Sequence, residues 1–151
     1  LGTFHHHFVT HLLEAELQRQ IYAVAGPGQS ITAAVLNQRK GDILCAFWGD
    51  TVEIDDGARM TWMRQPHYYM GLYPYTYSVG LVASTAMANV IQAEGAPAVQ
   101  RWLNVLKAGG TMKPLELMQA AGIDMSNPAP IHDAVAYVGK LVDELERAFA
   151  D

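Results

Sequence analysis

Tyr73-Pro74-Tyr75-Thr76-Tyr77-Ser78-Val79-Gly80-Leu81-Val82-Ala83-Ser84-Thr85-Ala86-Met87-Ala88-Asn89-Val90-Ile91-Gln92-Ala93-Glu94 holds no charged side chain before its last residue. It reads as a helix that is apolar nearly all round, with Gly80, Ser84 and Ala88 at i, i+4 and i+8. Small residues at that spacing let a neighbouring backbone approach closely. A helix apolar on every side belongs in the middle of a large fold. A chain of 151 residues has difficulty covering it alone, so self-association is expected.

Working outward, Gly95 ends this helix and Pro97 suits the first turn of the next, where Val99, Trp102, Leu103 and Leu106 share one face before Gly109-Gly110. Pro114 to Ala121 repeats the scheme with Gly122 as the stop. The last helix is the clearest: Ile131, Ala134, Val135, Val138, Leu141, Val142, Leu145, Ala148 and Phe149 trace one stripe, with Lys140, Asp143, Glu144 and Arg147 off it. Towards the N-terminus, Val9, Leu13, Leu17, Ile21 and Val24 recur at spacings of three or four up to Gly26-Pro27-Gly28. That tripeptide lacks a following Gly-Lys-Ser/Thr and is a turn, not a phosphate loop. Ser30 or Thr32 then caps a second helix whose Leu36, Ile43, Leu44 and Phe47 share a face, interrupted by Lys40 and by a weak point at Gly41. Asp50 to Gly57 is acidic and too brief to seed a sheet, so it is predicted as loop. The expected fold is all-α, five or six helices in one unit over residues 1–151.

Composition removes several functions. With 50% hydrophobic and 17% charged residues the chain is neither disordered nor fibrous. A net charge of -5, with no basic run longer than Arg39-Lys40, gives no footprint for nucleic acid. The most apolar stretch, Val79 to Ile91, is too short and too interrupted to cross a membrane. Cys45, the single cysteine, lies among Ile43, Leu44, Ala46 and Phe47 and is expected to be a buried thiol. A cytoplasmic, soluble protein is expected, and a start at Leu1 in place of methionine is read as a sign of truncation or processing.

The densest chemical signal is Arg64-Gln65-Pro66-His67-Tyr68-Tyr69-Met70-Gly71-Leu72-Tyr73-Pro74-Tyr75-Thr76-Tyr77-Ser78, with five tyrosines and one histidine inside eleven residues. Pro66, Gly71 and Pro74 place part of this run at the start of a helix, where phenol hydroxyls and an imidazole can donate to a developing oxyanion. An aromatic core with each hydroxyl satisfied locally explains the same residues.

Met60-Thr61-Trp62-Met63-Arg64-Gln65-Pro66-His67-Tyr68-Tyr69, followed by Leu72-Tyr73-Pro74-Tyr75-Thr76-Tyr77-Ser78-Val79-Gly80, resembles the Pro-His-aromatic-Tyr and Tyr-x-Tyr-x-Tyr signature of the oligoendopeptidase F family. Leu106-Lys107-Ala108-Gly109-Gly110, then Pro114-Leu115-Glu116-Leu117 and Ala121-Gly122-Ile123-Asp124-Met125, is similar to the end of the same family. The resemblance runs from about Phe8 over the rest of the chain and keeps the order of its parts. It implies the helical C-terminal portion of a larger, zincin-like, thimet oligopeptidase-like enzyme that cleaves short oligopeptides with a zinc-bound water. By the same resemblance Tyr75 and His67 are the catalytic donors, Tyr68 and Tyr73 bind substrate, and an upstream peptidase segment is the partner that completes the site.

The zinc site that the resemblance implies, an HExxH motif with a further glutamate, is not among these residues. His7-Phe8-Val9-Thr10-His11 has two histidines four apart, but Phe8 stands where the motif places its general base. His5, His6 and His7 are expected to be a solvated helix start or a chance cluster, with adventitious metal affinity the sharper option. No zinc held by native ligands, and no peptidase activity, is expected of this chain alone. Arg64 can bind a peptide carboxylate or an internal acid, of which the internal acid is the expectation, and His132 is expected to be exposed. The rival is a non-catalytic helical binding or oligomerisation module in which the tyrosines are structural.

Overall fold

The Thr32 hydroxyl accepts a hydrogen bond from the Val35 amide at 3.3 Å and caps a helix that runs unbroken to Trp48. The computed structural model describes residues 1–150. Among them the fold is all-α, and six helices have eight residues or more: α1 His11–Ala25, α2 Ala33–Trp48, α3 Tyr75–Glu94, α4 Ala96–Ala108, α5 Pro114–Ala121 and α6 Ala129–Ala148. A π-helical turn, His5–Thr10, leads into α1. Short helical turns Asp56–Arg59, Thr61–Arg64 and Pro66–Tyr69 connect α2 to α3. The residues group into two compact units, His5–Ser78 on one hand and Leu1–Phe4 with Val79 onward on the other, the division falling inside α3. No helix among the described residues is long and apolar enough to cross a membrane.

In the unit His5–Ser78, α1 and α2 bury Leu17 and Ile43. They also bury Lys40, whose Nζ lies 2.5 Å from Glu14 Oε1. The interruption read at Lys40 is therefore an ion pair inside the helix pair. The helix runs unbroken through Gly41, and the Arg59 side chain occupies the place where a Cβ would be. The missing side chain of Gly41 admits Arg59. Cys45, expected inside, is exposed; the helix turns Ile43 inward and Cys45, two residues on, away. The acidic stretch is loop and short turns: Asp55 Oδ1 accepts from the Ala58 amide at 2.7 Å and opens Asp56–Arg59.

In the other unit Met87, Ala98, Val105, Ala121 and Ile123 form the buried core, with Trp102, Leu117 and Met118 packed against it. α4 turns a different face inward from the one its spacing predicts: Ala98 and Val105 are buried, while Val99, Leu103 and Leu106 are exposed. Two apolar stripes run along this helix, and the one carrying the small Ala98 allows closer packing. Gly122, at φ +91°, takes the left-handed conformation that ends α5, and the Ile123 amide bonds the Met118 carbonyl at 2.9 Å. The small-residue face of α3, Gly80, Ser84 and Ala88, is exposed, as are Ile131, Val135, Val142 and Leu145 of the α6 stripe.

Candidate functional site

The chain between α2 and α3 is held onto the helices by amide and indole groups. Gln18 Nε2 donates to the carbonyls of Tyr68 and Gly71, and Trp62 Nε1 donates to Asn37 Oδ1 at 2.7 Å. Pro66, whose ring presets φ, starts the turn that carries His67. His67 Nδ1 lies 3.1 Å from Gln65 Oε1, and His67 Nε2 lies 3.2 Å from the Tyr77 hydroxyl. The Tyr77 hydroxyl is in turn 3.4 Å from the Tyr73 hydroxyl. Tyr77 lies on the first turn of α3 and Tyr73 two residues before the helix, where its carbonyl accepts from the Thr76 amide at 3.0 Å, and the two rings meet edge to face at a centroid distance of 5.3 Å.

The direction of the hydrogen bonds in this row depends on whether His67 is neutral or an imidazolium. The Gln65 carbonyl oxygen only accepts, so His67 Nδ1 carries a hydrogen. In the neutral ring Nε2 then accepts a hydrogen bond from the Tyr77 hydroxyl. In the imidazolium both nitrogens donate, and the Tyr77 hydroxyl is released to donate to Tyr73. The bond to Tyr73 holds the Tyr77 phenol above its ordinary range, with burial adding to it.

The residues singled out from sequence are placed as follows. His67 and Tyr73 belong to the hydrogen-bonded row. Tyr75, on the first turn of α3, is 46% exposed and its hydroxyl has no hydrogen-bond partner among the described residues. Tyr68 is half-buried, and its hydroxyl is buried without a partner there. Tyr77, the centre of the row, is the residue that sequence reasoning did not single out; its signal is the four-residue spacing from Tyr73. Arg64 is exposed and has no ion pair among the described residues, contrary to expectation, since the acids of this unit are engaged elsewhere or point to solvent. His132 is exposed.

Beside this row the π-helical turn gathers His6, His7 and His11, which offer one ring nitrogen each within 4.8 Å of one another. His11 is 8% exposed, and its ring stacks on Tyr77 at a centroid distance of 4.0 Å. Burial lowers the His11 pKa, the neighbouring imidazoles add to that, and the His6 carbonyl opposes it.

Residues 5–137 match the sequence model of Peptidase family M3. The chain belongs to this family. It is 35% identical over 132 residues to oligopeptidase PepF of Bacillus subtilis (strain 168), covering 87% of this chain and 20% of the relative. It is 29% identical over 133 residues to the plasmid oligoendopeptidase F of Lactococcus lactis subsp. cremoris, covering 88% and 22%. A crystal structure from Chlamydophila abortus, provisionally named a peptidase, superposes with a TM-score of 0.83 at 29% identity over 95% of this chain and 24% of that one. The chain thus spans about a fifth of the length of the curated relatives it matches.

Members of family M3 are generally zinc-dependent. The residues present do not fit a hydrolytic zinc centre of the HExxH type. The imidazole cluster has no carboxylate in it, and Glu14, the acid three residues beyond His11, is bonded to Lys40. Phe8 follows His7 where a base would stand.

Proposed function

We propose that this M3 chain is the C-terminal, substrate-facing part of a zinc metalloendopeptidase acting on short oligopeptides. The observation that carries the reading is the hydrogen-bonded row His67, Tyr77 and Tyr73, with the exposed Tyr75, whose hydroxyl is unbonded among the described residues, between the two tyrosines in sequence. His67 and Tyr75 donate to the oxyanion that forms at the scissile carbonyl, and Tyr68 and Tyr73 contact the peptide. A donor aimed at the place where charge develops stabilises the transition state more than the ground state. Catalytic zinc and the general base come from the upstream peptidase segment, which also covers the exposed faces of α3 and α6. A cytoplasmic setting is part of the same proposal.

The test is a kinetic comparison in the complete enzyme. Tyr75→Phe is expected to lower kcat by about a hundred- to a thousandfold with KM little changed. If Tyr75→Phe, Tyr68→Phe and Tyr73→Phe each keep at least half of the wild-type kcat, the donor role is wrong and the tyrosines are an aromatic core. The second reading, a helical binding or oligomerisation module, is favoured by the exposed α6 stripe Ile131, Val135, Val142 and Leu145. Unchanged kcat in all three variants would leave that reading standing.

A further inference from the structure

We propose that His6, His7 and His11 form a three-imidazole site for a divalent transition cation, with zinc(II) the occupant and cobalt(II) its spectroscopic substitute. The spacing of these histidines brings them together only because the turn before α1 is π-helical. In an α-helix His7 and His11 share a face at i, i+4, whereas His6 and His11, five apart, do not. The π-helical turn His5–Thr10 bonds i to i+5 and carries His6 round to the others. The ring centroids lie 4.9 Å apart for His6 and His7, 4.7 Å for His6 and His11, and 5.2 Å for His7 and His11. A tetrahedral ion with nitrogens at about 2.0 Å holds them about 3.3 Å from each other. Small side-chain rotations close the cluster to that size from nitrogens already within 4.8 Å.

Two further observations point to a ligand. His11 Nδ1 lies 2.8 Å from the His6 carbonyl oxygen. A carbonyl only accepts, so Nδ1 holds the proton and Nε2 keeps a lone pair for a metal, the orienting bond that ligating histidines use. His7 Nδ1 is buried with no hydrogen-bond partner among the described residues, and a coordinated cation would satisfy it. The rings are also held in place: Tyr77 stacks on His7 with planes 3° apart and on His11 with planes 25° apart. Ser78 Oγ fixes the His7 carbonyl at 2.7 Å. An all-imidazole set with no carboxylate suits zinc, cobalt, nickel or copper and not calcium or magnesium. With three protein ligands one coordination position stays open to water or an added ligand.

The test uses the 151-residue chain without an affinity tag, titrated calorimetrically with zinc chloride and optically with cobalt chloride. One ion per chain is expected, with the intense visible bands of tetrahedral cobalt(II). His6→Ala, His7→Ala and His11→Ala should each weaken binding at least about tenfold. His5→Ala, in the same run of histidines but outside the cluster, should leave the affinity unchanged. Saturating zinc should raise the Tm of the wild type and not of His6→Ala, since an ion bound only by the folded state stabilises it. Because His6 is exposed, that variant keeps its fold even if His11→Ala does not. A His5→Ala variant that loses as much affinity as His6→Ala would show that consecutive surface imidazoles chelate the ion, and would overturn the site. So would equal affinity for the chain unfolded in urea.

Discussion

Lys40 Nζ lies 2.5 Å from Glu14 Oε1, and both side chains are buried where α1 meets α2. Glu14 Oε2 is buried with no partner among the described residues, so the pair is held by one strong bond and not by a network. Removing one member leaves a charge in an apolar setting. Lys40→Met is therefore expected to cost about 3 to 5 kcal/mol of stability. Lys40→Met with Glu14→Leu should recover most of that loss, because no unpaired charge remains. Urea unfolding of the two single variants and the double one measures this. A Lys40→Met cost below about 1 kcal/mol would show that the pair is solvated.

Glu16 makes a different kind of bond. Two hydrogen bonds of 2.7 Å from the Arg19 guanidinium, and one of 2.8 Å from Gln20, hold its carboxyl at about 2. A folded-state pKa below the ordinary 4.5 means that the contribution to stability is complete above that value and is lost as pH falls through about 2. Both side chains are well exposed, so the contribution is small and is screened by salt. An NMR titration should find Glu16 still ionised at pH 3, and Arg19→Ala should return it towards the ordinary range. Half-protonation of Glu16 near pH 4 in the wild type would contradict the bidentate geometry.

The chain by itself is expected to show no peptidase turnover at any zinc concentration, because a carboxylate base is absent from the imidazole cluster. A quenched fluorescent peptide reports this directly. Turnover above the buffer blank that a chelator abolishes would sink the expectation.

Exposed apolar side chains on α3, α4 and α6, among them Val79, Leu103, Leu106, Val135 and Leu145, should make the 151-residue chain self-associate. Light scattering is expected to find a dimer or a larger assembly, and a hydrophobic dye to bind. A clean monomer that leaves the dye dark would show that these faces need no cover.

The helices were legible because apolar spacing and stop signals act locally. Thr32, Gly95, Pro97, Pro114 and Gly122 each sit at a helix end where their chemistry places them. Which apolar face turns inward was less legible. α4 has two candidates, and only its packing against α5 selects Ala98 and Val105. Cys45 is exposed and Lys40 buried for the same reason: burial follows the partner helix, and Glu14 lies across from Lys40. At the candidate site, sequence gave the aromatic run but not the hydrogen bonds inside it. Of the imidazole cluster the pair His7 and His11 was legible, whereas a period of 3.6 residues separates His6 from His11, and only the π-helical turn joins them.

The row His67, Tyr77 and Tyr73 makes a last prediction that separates chemistry from packing. His67 Nε2 and the Tyr77 hydroxyl, 3.2 Å apart, share one proton between them, so neither can act on an oxyanion without the other adjusting. In the complete enzyme His67→Gln and Tyr77→Phe should each lower kcat by about ten- to a hundredfold with KM little changed. Groups that work as a unit are not additive, so the double variant should be no worse than the more damaging single one. Tyr77→Phe keeps the ring that stacks on His11, and its fold should survive. If the row is structural only, kcat stays within twofold and the loss shows as about 1 to 3 kcal/mol of stability in unfolding melts. Fully multiplicative effects on kcat would likewise count against a shared proton, because independent donors multiply.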